Sequence, residues 1–162
     1  MLMFRPVFDK KDRIQRVRAI LITPEGSLLF IKRIKPNKPE PYWVAPGGGV
    51  ESHDEGLFDA LDRELREELG VKRYLILCDA FVLEHHKAGK DLQEHFFVCR
   101  LLDYDLTQRH GPEFDDPSRG HYIPDEVPLT SEAIRSINIK TRELRDWLLA
   151  NLPFLQDLHL AA

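Results

Sequence analysis

The sequence predicts an α/β fold, a three-layer α/β/α sandwich built around a mixed β-sheet. Two observations support this prediction. Short segments rich in Val, Ile, Leu and Phe are bounded by turn residues, as β-strands are. One amphipathic helical stretch interrupts these segments in mid-chain, and another follows them near the C-terminus. Strands mixed with helices in this way favour layers, because a sheet buries its apolar faces well under helices.

The N-terminal part of the chain predicts three strands. Residues 15–23 and 28–34 are largely apolar, and the turn residues 24–27 connect them, so the pair is predicted to form a hairpin. Residues 35–41 are rich in proline and are predicted to form a loop. Residues 42–45 predict a short strand that leads into a run of glycines.

The middle of the chain predicts one helix followed by two long strands. Residues 54–69 carry apolar side chains at helical spacing, and Gly70 is suited to end that helix with positive φ. Residues 73–86 and 92–102 are predicted strands. The turn residues 87–90 between them indicate a second hairpin.

The C-terminal part predicts a loop and two helices. Residues 103–120 are polar, and a loop of this length is usually functional or disordered. Thr130 and Ser131 are suited to cap a short helix. Residues 139–152 predict the last helix, whose inward residues are Leu144, Trp147 and Leu148.

Length and composition limit the class of protein. A chain of 162 residues that is 43% hydrophobic is expected to bury one core, so residues 1–162 are predicted to form a single domain. The sequence contains no run of ~18 apolar residues, so no membrane span is predicted. Residues 1–13 carry no pattern of a secretory signal. Two cysteines, Cys78 and Cys99, are too few for a disulfide framework and predict a cytoplasmic protein. A net charge of −4 disfavours duplex nucleic acid as the partner.

The predicted central helix carries a cluster of acids. At roughly 100° per residue, Glu64 and Glu68 are separated by about 40° around the helix, and Glu67 lies about 60° from Glu64 on the other side. Like charges at this spacing destabilise a helix unless a cation neutralises them. Oxygen ligands favour Mg²⁺, Mn²⁺ or Ca²⁺ over zinc. The alternative interpretation is a solvated acidic face.

Residues 49–71, GVESHDEGLFDALDRELREELGV, match a longer pattern at every specified position. The pattern begins at Gly49, continues with Glu55, Arg63-Glu64 and Glu67-Glu68, and closes with Gly70-Val71. It resembles the Nudix box, the signature of the Nudix hydrolase family. The resemblance implies the Nudix fold, an α/β/α sandwich with a mixed sheet.

The resemblance also implies a metal site. Glu64, Glu67 and Glu68 would supply carboxylate ligands, the carbonyl of Gly48 often joins them, and the cofactor would be Mg²⁺, with Mn²⁺ as an alternative. The number of metal ions stays open. By the same resemblance, Arg63 supports catalysis by orienting the loop and the helix. Its partners in that structural support would be Glu55 and Gly49.

The general base is not fixed by the resemblance. Glu64 is one candidate, because the equivalent glutamate takes the proton in some members of the family. In other members the base comes from beyond the box, where Glu94 on a predicted strand and Glu113 in the long loop are candidates. Arg33 resembles a phosphate-contacting arginine by its spacing to the glycines, and a guanidinium fork suits a diphosphate.

The function implied by the resemblance is metal-dependent hydrolysis of a nucleoside diphosphate linked to another group, by attack of water on phosphorus. A nucleoside triphosphate or a nucleoside diphosphate derivative is the default substrate, because the family's markers for ADP-ribose, coenzyme A and NADH substrates are not found. The alternative is a Nudix-fold module that binds a nucleotide as a sensor without turnover. A homodimer stays an open alternative to a monomer.

Overall fold

A computed structural model describes residues 13–160. The prediction of no secretory signal was made on residues 1–13, which lie almost entirely outside that range. The described strands form one mixed seven-stranded sheet, which confirms the predicted fold class. The order along the sheet is β3-β2-β1-β6-β5, with β4 paired to β1 and β7 paired to β2. The strands are β1 (Arg13–Ile22), β2 (Ser27–Lys35), β3 (Lys38–Val44), β4 (Gly47–Gly49), β5 (Val71–Lys87), β6 (Lys90–Tyr104) and β7 (His121–Pro128).

Helices cover both faces of this sheet. On one face, α1 packs its apolar side chains into a cluster with β1 and β6. On the other face, α3, α4 and α5 complete a second cluster. The helices are α1 (Leu57–Leu69), α2 (Pro112–Asp115), α3 (Ser131–Ser136), α4 (Arg142–Ala150) and α5 (Leu152–Leu160). None of the helices within residues 13–160 has the length and apolar character that crossing a membrane requires.

The central strand β1 separates two parts of the sheet. It runs parallel to β6 in continuous register, from Arg13 opposite Asp91 to Ile22 opposite Arg100. The predicted hairpin of β1 and β2 is paired at its turn, where Ile22 faces Leu28. Further from the turn the partner of β1 is β4, so the glycine run occupies the gap that the diverging strands leave.

Two predicted loops, residues 35–41 and 103–120, contain regular structure: part of β3 lies in the first, and the end of β6 and the helix α2 lie in the second. Lys38–Val44 forms β3, so the strand begins before the predicted boundary in spite of its prolines. Strand β7 was not predicted at all, because it contains two prolines and little apolar alternation. Its stability comes from antiparallel pairing with β2, and Pro124 is tolerated because β7 has no second strand partner among residues 13–160.

The predicted helix boundaries also shift. Helix α1 begins at Leu57 and not at residue 54, because Gly56 is fully extended and Asp54 accepts a hydrogen bond from the Glu51 amide. The last predicted helix begins at Arg142, because Ile139 instead bridges to Trp43 of β3. It breaks at Asn151, after which α5 continues the helical layer.

Packing of α1 predicts one stability difference. Leu65 is 0% exposed in the cluster under α1, so Leu65→Ala should lower the free energy of unfolding by about 2–5 kcal/mol through lost burial and a cavity. Leu75→Ala is the control, because Leu75 on β5 is 48% exposed and should cost well under about 1 kcal/mol. Urea denaturation measures both. Equal losses in the two variants would show that α1 does not depend on this contact.

Candidate active site

One wall of the site is the segment of residues 46–49, here named the glycine turn, which bends at Pro46 and continues as the short strand β4. Gly47 has φ of +144°, and a Cβ there would lie 2.0 Å from the Val17 carbonyl oxygen, so glycine is required. At Gly48 a Cβ would lie 2.4 Å from Oε1 of Glu64. The backbone of the turn therefore lies directly against a carboxylate of α1.

The acids of α1 meet this turn at neighbouring points. Glu64 is buried, with 8% of its surface exposed, and lies against Gly48. Glu68 accepts a hydrogen bond from the Gly47 amide through Oε2, at 3.0 Å. Glu67 keeps 26% of its side chain exposed. The predicted acidic stripe therefore exists, and two of its three members contact the glycines.

Burial disfavours the charged form of these acids. It raises the pKa of Glu68 to about 8, against the opposing effects of the Arg18 charge and the Gly47 amide. Burial also raises the pKa of Glu64, against the opposing effect of Arg63. The site therefore concentrates acids in surroundings where an added cation would favour their charged forms.

Arg63 connects the helix to the glycine turn. Its Nη2 donates to the Gly49 carbonyl and to Oδ2 of Asp54, each at 2.9 Å, and its Nε donates to Oδ1 of Asp54 at 3.1 Å. Its Nη1 reaches Oε1 of Glu64 at 3.1 Å and Oε2 of Glu67 at 3.5 Å. One guanidinium thus holds the turn, the segment before α1 and the acidic face in one arrangement.

The acidic partner of Arg63 differs from the prediction. Glu55 is exposed, whereas the Asp54 side chain is 1% exposed and makes the paired hydrogen bonds to Arg63. Those bonds lower the pKa of Asp54 to about 2 and raise the pKa of Arg63. Gly49, the other predicted support residue, does contact Arg63 through its carbonyl.

Glu94 lies on the side of the glycine turn that faces away from α1. It is buried, with 6% exposed, and its Oε1 is 3.6 Å from Nε of Arg18. Arg18 in turn donates to the carbonyls of Ala45 and Gly47, at 3.0 and 3.2 Å. Glu94 is thus paired with a cation that itself braces the turn.

Glu113 lies in a segment that docks on the C-terminal end of α1. The His110 amide donates to the Glu67 carbonyl at 2.9 Å, and Nε of Arg109 donates to the Glu68 carbonyl at 2.7 Å. The Glu113 charge contributes to the raised pKa of Glu68. The predicted long loop therefore brings Glu113 to the acidic face.

Arg33 is held on the outer side of the same loop. Its Nη2 donates to the Arg119 carbonyl at 2.8 Å, and its Cζ lies 3.4 Å from the ring centroid of Tyr122. Its buried Nε has no hydrogen-bond partner within residues 13–160. Arg33 makes no ion pair with a carboxylate in that part of the chain, so its charge is not neutralised there.

Two clefts flank the site. The larger, of about 560 Å³, lies beside the start of α1, and its lining holds carboxylates and aromatic rings without Lys or Arg. The smaller, of about 310 Å³, adjoins the glycine turn on the side of Arg18. The lining of the smaller cleft combines two carboxylates with a larger number of basic groups: Glu94 and Glu143, with Arg16, Arg18, His85, His86 and Lys140.

The donors around the turn suit a hard cation, because they are carboxylate oxygens. The described residues 13–160 contain no point where three His, Cys, Asp or Glu side chains converge as ligands. The reason is visible in the contacts: Arg63 occupies the space between Glu64 and Glu67, and Glu68 turns to the Gly47 amide. A cation bound there would compete with hydrogen bonds that are now made by protein donors.

Sequence reasoning missed three residues of this arrangement. Asp54 and Glu55 are adjacent acids, and no local pattern indicates which of them reaches Arg63. Arg18 and Arg109 act through backbone carbonyls that are distant in sequence, and neither stands in a recognisable motif. For Asp54, the one available signal was its position before the helix, where Asp commonly satisfies free amides.

The sequence and the fold were compared with known proteins. The family model described as NUDIX domain matches residues 12–140. None of the curated proteins compared with the sequence matches it.

Solved structures match at low identity, which supports the fold alone. A NUDIX hydrolase from Nitrosomonas europaea is 17% identical, with a TM-score of 0.64 over 84% of this chain and 86% of its own. The E. coli ORF135 protein is 23% identical, with a TM-score of 0.61 over 86% and 91%. A C. elegans Ap4A hydrolase is 19% identical, with a TM-score of 0.60 over 89% and 98%.

The partner choice of Arg63 predicts a contrast between neighbouring acids. Asp54→Asn should lower the free energy of unfolding at pH 7 by about 1.5–3 kcal/mol, because it removes charged hydrogen bonds to a partly buried guanidinium. Glu55→Gln is the matched control and should leave stability within about 0.5 kcal/mol. Urea denaturation distinguishes the two variants, and a larger loss for Glu55→Gln would reverse the assignment.

The same pair predicts a pH dependence. The pKa of Asp54 is lowered from 3.8 to about 2 in the folded state, so the stability that its charge contributes is present above pH 3.8. That contribution is lost as the pH falls through 3.8 towards 2. The stability difference between wild type and Asp54→Asn should therefore be constant near neutrality and shrink over this acid range. A difference that grows on acidification would contradict the pairing.

Proposed function

The chain belongs to the Nudix family, and we propose that it is a divalent-metal-dependent pyrophosphohydrolase. Its substrate is a nucleoside diphosphate linked to another moiety, with a nucleoside triphosphate or a nucleoside diphosphate derivative as the default. The observation that carries the proposal is the meeting of Glu64 and Glu68 with the glycine turn, through Gly48 and the Gly47 amide. That arrangement puts the carboxylates of Glu64 and Glu68 against the backbone of one glycine-rich segment, at one solvent-limited place.

We propose that Glu64, Glu67, Glu68 and the Gly48 carbonyl hold Mg²⁺, or Mn²⁺ in its place. The raised pKa values of Glu64 and Glu68 support this, because they show acids held together against desolvation and mutual repulsion. When bound, a divalent cation neutralises phosphate oxygens, lowers the pKa of water and orients the attack. Arg63 keeps the acidic face aligned with the turn, so it contributes to catalysis by fixing its neighbours.

The nucleotide is assigned to the smaller, basic cleft. An anionic substrate is attracted by its Arg and Lys groups, which outnumber its two carboxylates, whereas the described lining of the larger cleft presents three carboxylates and no Lys or Arg. Arg18 lines the smaller cleft, and its charge acts on Glu64 and Glu68, so the cleft and the acids are close. Arg33 stays a proposed phosphate contact, supported by a guanidinium charge that no described carboxylate neutralises.

Among the candidate bases we favour Glu113. Glu94 is buried, with 6% of its surface exposed, and its carboxylate is paired with Arg18, so little of it is open to an attacking water. Glu64 is engaged by Arg63 and is needed as a ligand. Glu113 is half-buried and lies within electrostatic reach of Glu68, so we propose that it accepts the proton at the edge of the site.

Two further proposals concern the whole chain. We propose that residues 1–162 form one domain and that the protein is cytoplasmic. The free thiols of Cys78 and Cys99 support the second proposal. Burial raises the pKa of both thiols, which fits packing rather than redox chemistry.

The substrate is identified by release of phosphate, with pyrophosphatase added, across a panel of nucleotides. The panel contains nucleoside triphosphates, oxidised nucleotides, ADP-ribose, dinucleoside polyphosphates and nucleotide sugars, with phosphatase added where a product carries a terminal phosphate. Each compound is assayed with Mg²⁺ and with EDTA. Turnover that requires metal supports the proposal, whereas tight binding without any turnover favours the nucleotide sensor.

Substitution of the acids gives a second expected outcome. Glu67→Gln and Glu68→Gln should each reduce turnover by about a hundredfold or more, because each removes a charge that holds the metal. The matched control is Glu132→Gln, an exposed acid on α3 that should leave turnover unchanged. Steady-state kinetics at saturating Mg²⁺ measure all three variants. Wild-type rates in Glu67→Gln and Glu68→Gln would contradict the assignment of these acids as metal ligands.

A further inference from the structure

Arg109 joins the C-terminal end of α1 to strand β7. Its Nε donates to the Glu68 carbonyl and its Nη2 to the Tyr122 carbonyl, both at 2.7 Å. The half-buried guanidinium forms no ion pair with a carboxylate among residues 13–160. Its direct polar partners are two backbone carbonyls from elements that are distant in sequence.

These contacts complete the end of α1. The last four carbonyls of a helix lack partners within the helix and must be satisfied by other donors. Here Gly70 supplies its amide to the carbonyls of Leu65 and Arg66, His110 supplies its amide to that of Glu67, and Arg109 supplies Nε to that of Glu68. A cation at this end is also favoured by the helix dipole.

Arg109 also packs against an aromatic ring of the segment that contains Glu113. Its Cζ lies 4.2 Å from the ring centroid of Phe114, and Phe114 meets Tyr122 edge to face at 5.8 Å. Arg33 covers Tyr122, with 3.4 Å between its Cζ and the ring centroid. Two rings in contact thus lie between two guanidinium groups, from the end of α1 to β2. Phe114, which packs on Arg109, is the neighbour of Glu113 in the sequence.

The orientation of Glu113 is set within the same segment. Gly111 has φ of +137°, and a Cβ there would lie 2.7 Å from Oε2 of Glu113. The Glu113 carboxylate therefore folds back over Gly111, towards the loop's attachment to α1. An unrestrained loop of this kind would sample many positions, and fixing a loop has an entropic cost that anchoring contacts must offset.

We propose that Arg109 is a positioning residue that holds Glu113 beside the acidic face of α1 and contributes to turnover through Glu113. This inference rests on the proposed function, in which Glu113 accepts a proton. Among residues 13–160, the Arg109 side chain makes no hydrogen bond or ion pair with the acid side chains of α1, so it acts on the proposed reaction through Glu113. Its contribution should therefore disappear when Glu113 can no longer act as a base.

A double-mutant cycle tests the proposal, using the panel compound with the highest kcat/KM. Glu113→Gln should lower kcat by about a hundredfold or more, as loss of a general base does. Arg109→Gln should lower kcat by about tenfold to a hundredfold with little change in KM, as a misplaced catalytic group does. The double variant should match Glu113→Gln alone, because effects of residues that act as a unit do not add.

Arg66→Gln is the matched control. Arg66 lies on the last turn of α1 and pairs with Asp62 on the surface, so its loss should leave kcat unchanged. Amide hydrogen exchange of residues 105–120 gives a readout without turnover: exchange should increase in Arg109→Gln and stay at the wild-type rate in Arg66→Gln. If Arg109→Gln does not fold, Phe114→Leu replaces it in the same cycle, because Phe114 packs on the guanidinium.

Three results would overturn the inference. These are wild-type kcat in Arg109→Gln, wild-type kcat in Glu113→Gln, or a further fall of about tenfold or more when Arg109→Gln is added to Glu113→Gln. If Glu68→Gln is inactive while Arg109→Gln is normal, this inference fails and the proposed function stands. If wild type turns over no panel compound, the proposed function fails and the inference fails with it.

Discussion

The site depends on the Arg63 guanidinium and the buried pair that it forms with Asp54. Three glutamates on adjacent turns of one helix repel each other, and burial makes their charged forms less favourable still. Arg63 offsets part of this cost and at the same time ties the Gly49 carbonyl to the helix. Without that cation, the position of the acidic face relative to the turn would depend on packing and on the hydrogen bond between Glu68 and the Gly47 amide.

The rest of the fold holds this arrangement from two sides. Parallel pairing with β6 fixes β1, and β1 in turn fixes the glycine turn by pairing with β4. Apolar residues of α1 are buried against the sheet, and this packing fixes where the acids of α1 lie relative to the glycine turn. The helices of the other face cover the opposite side of the sheet, where Arg18 and Glu94 line the basic cleft. The sheet and α1 thus position the acids, and a separate segment, which contains α2, positions Glu113.

Much of this could be predicted from local sequence, and the rest depends on contacts between distant residues. The strands β1, β2, β5 and β6 are apolar runs between turns, and α1 has clear helical spacing, so each was predicted close to its true bounds. Strand β7 was missed because its pairing with β2, rather than its composition, makes it a strand. Asp54, and not Glu55, pairs with Arg63, and this depends on the backbone before α1, where Gly56 is extended. Arg109 binds carbonyls, which leave no trace in a sequence pattern.

The most direct test is a titration of Mn²⁺ followed by the electron paramagnetic resonance signal of the free ion. Wild type should bind Mn²⁺ saturably, Glu68→Gln should weaken binding by about tenfold to a hundredfold, and Glu64→Gln with Glu68→Gln should abolish it. Mg²⁺ should displace the bound Mn²⁺. Equal binding by wild type and the double variant, or no binding by wild type, would contradict a metal site on the acidic face of α1.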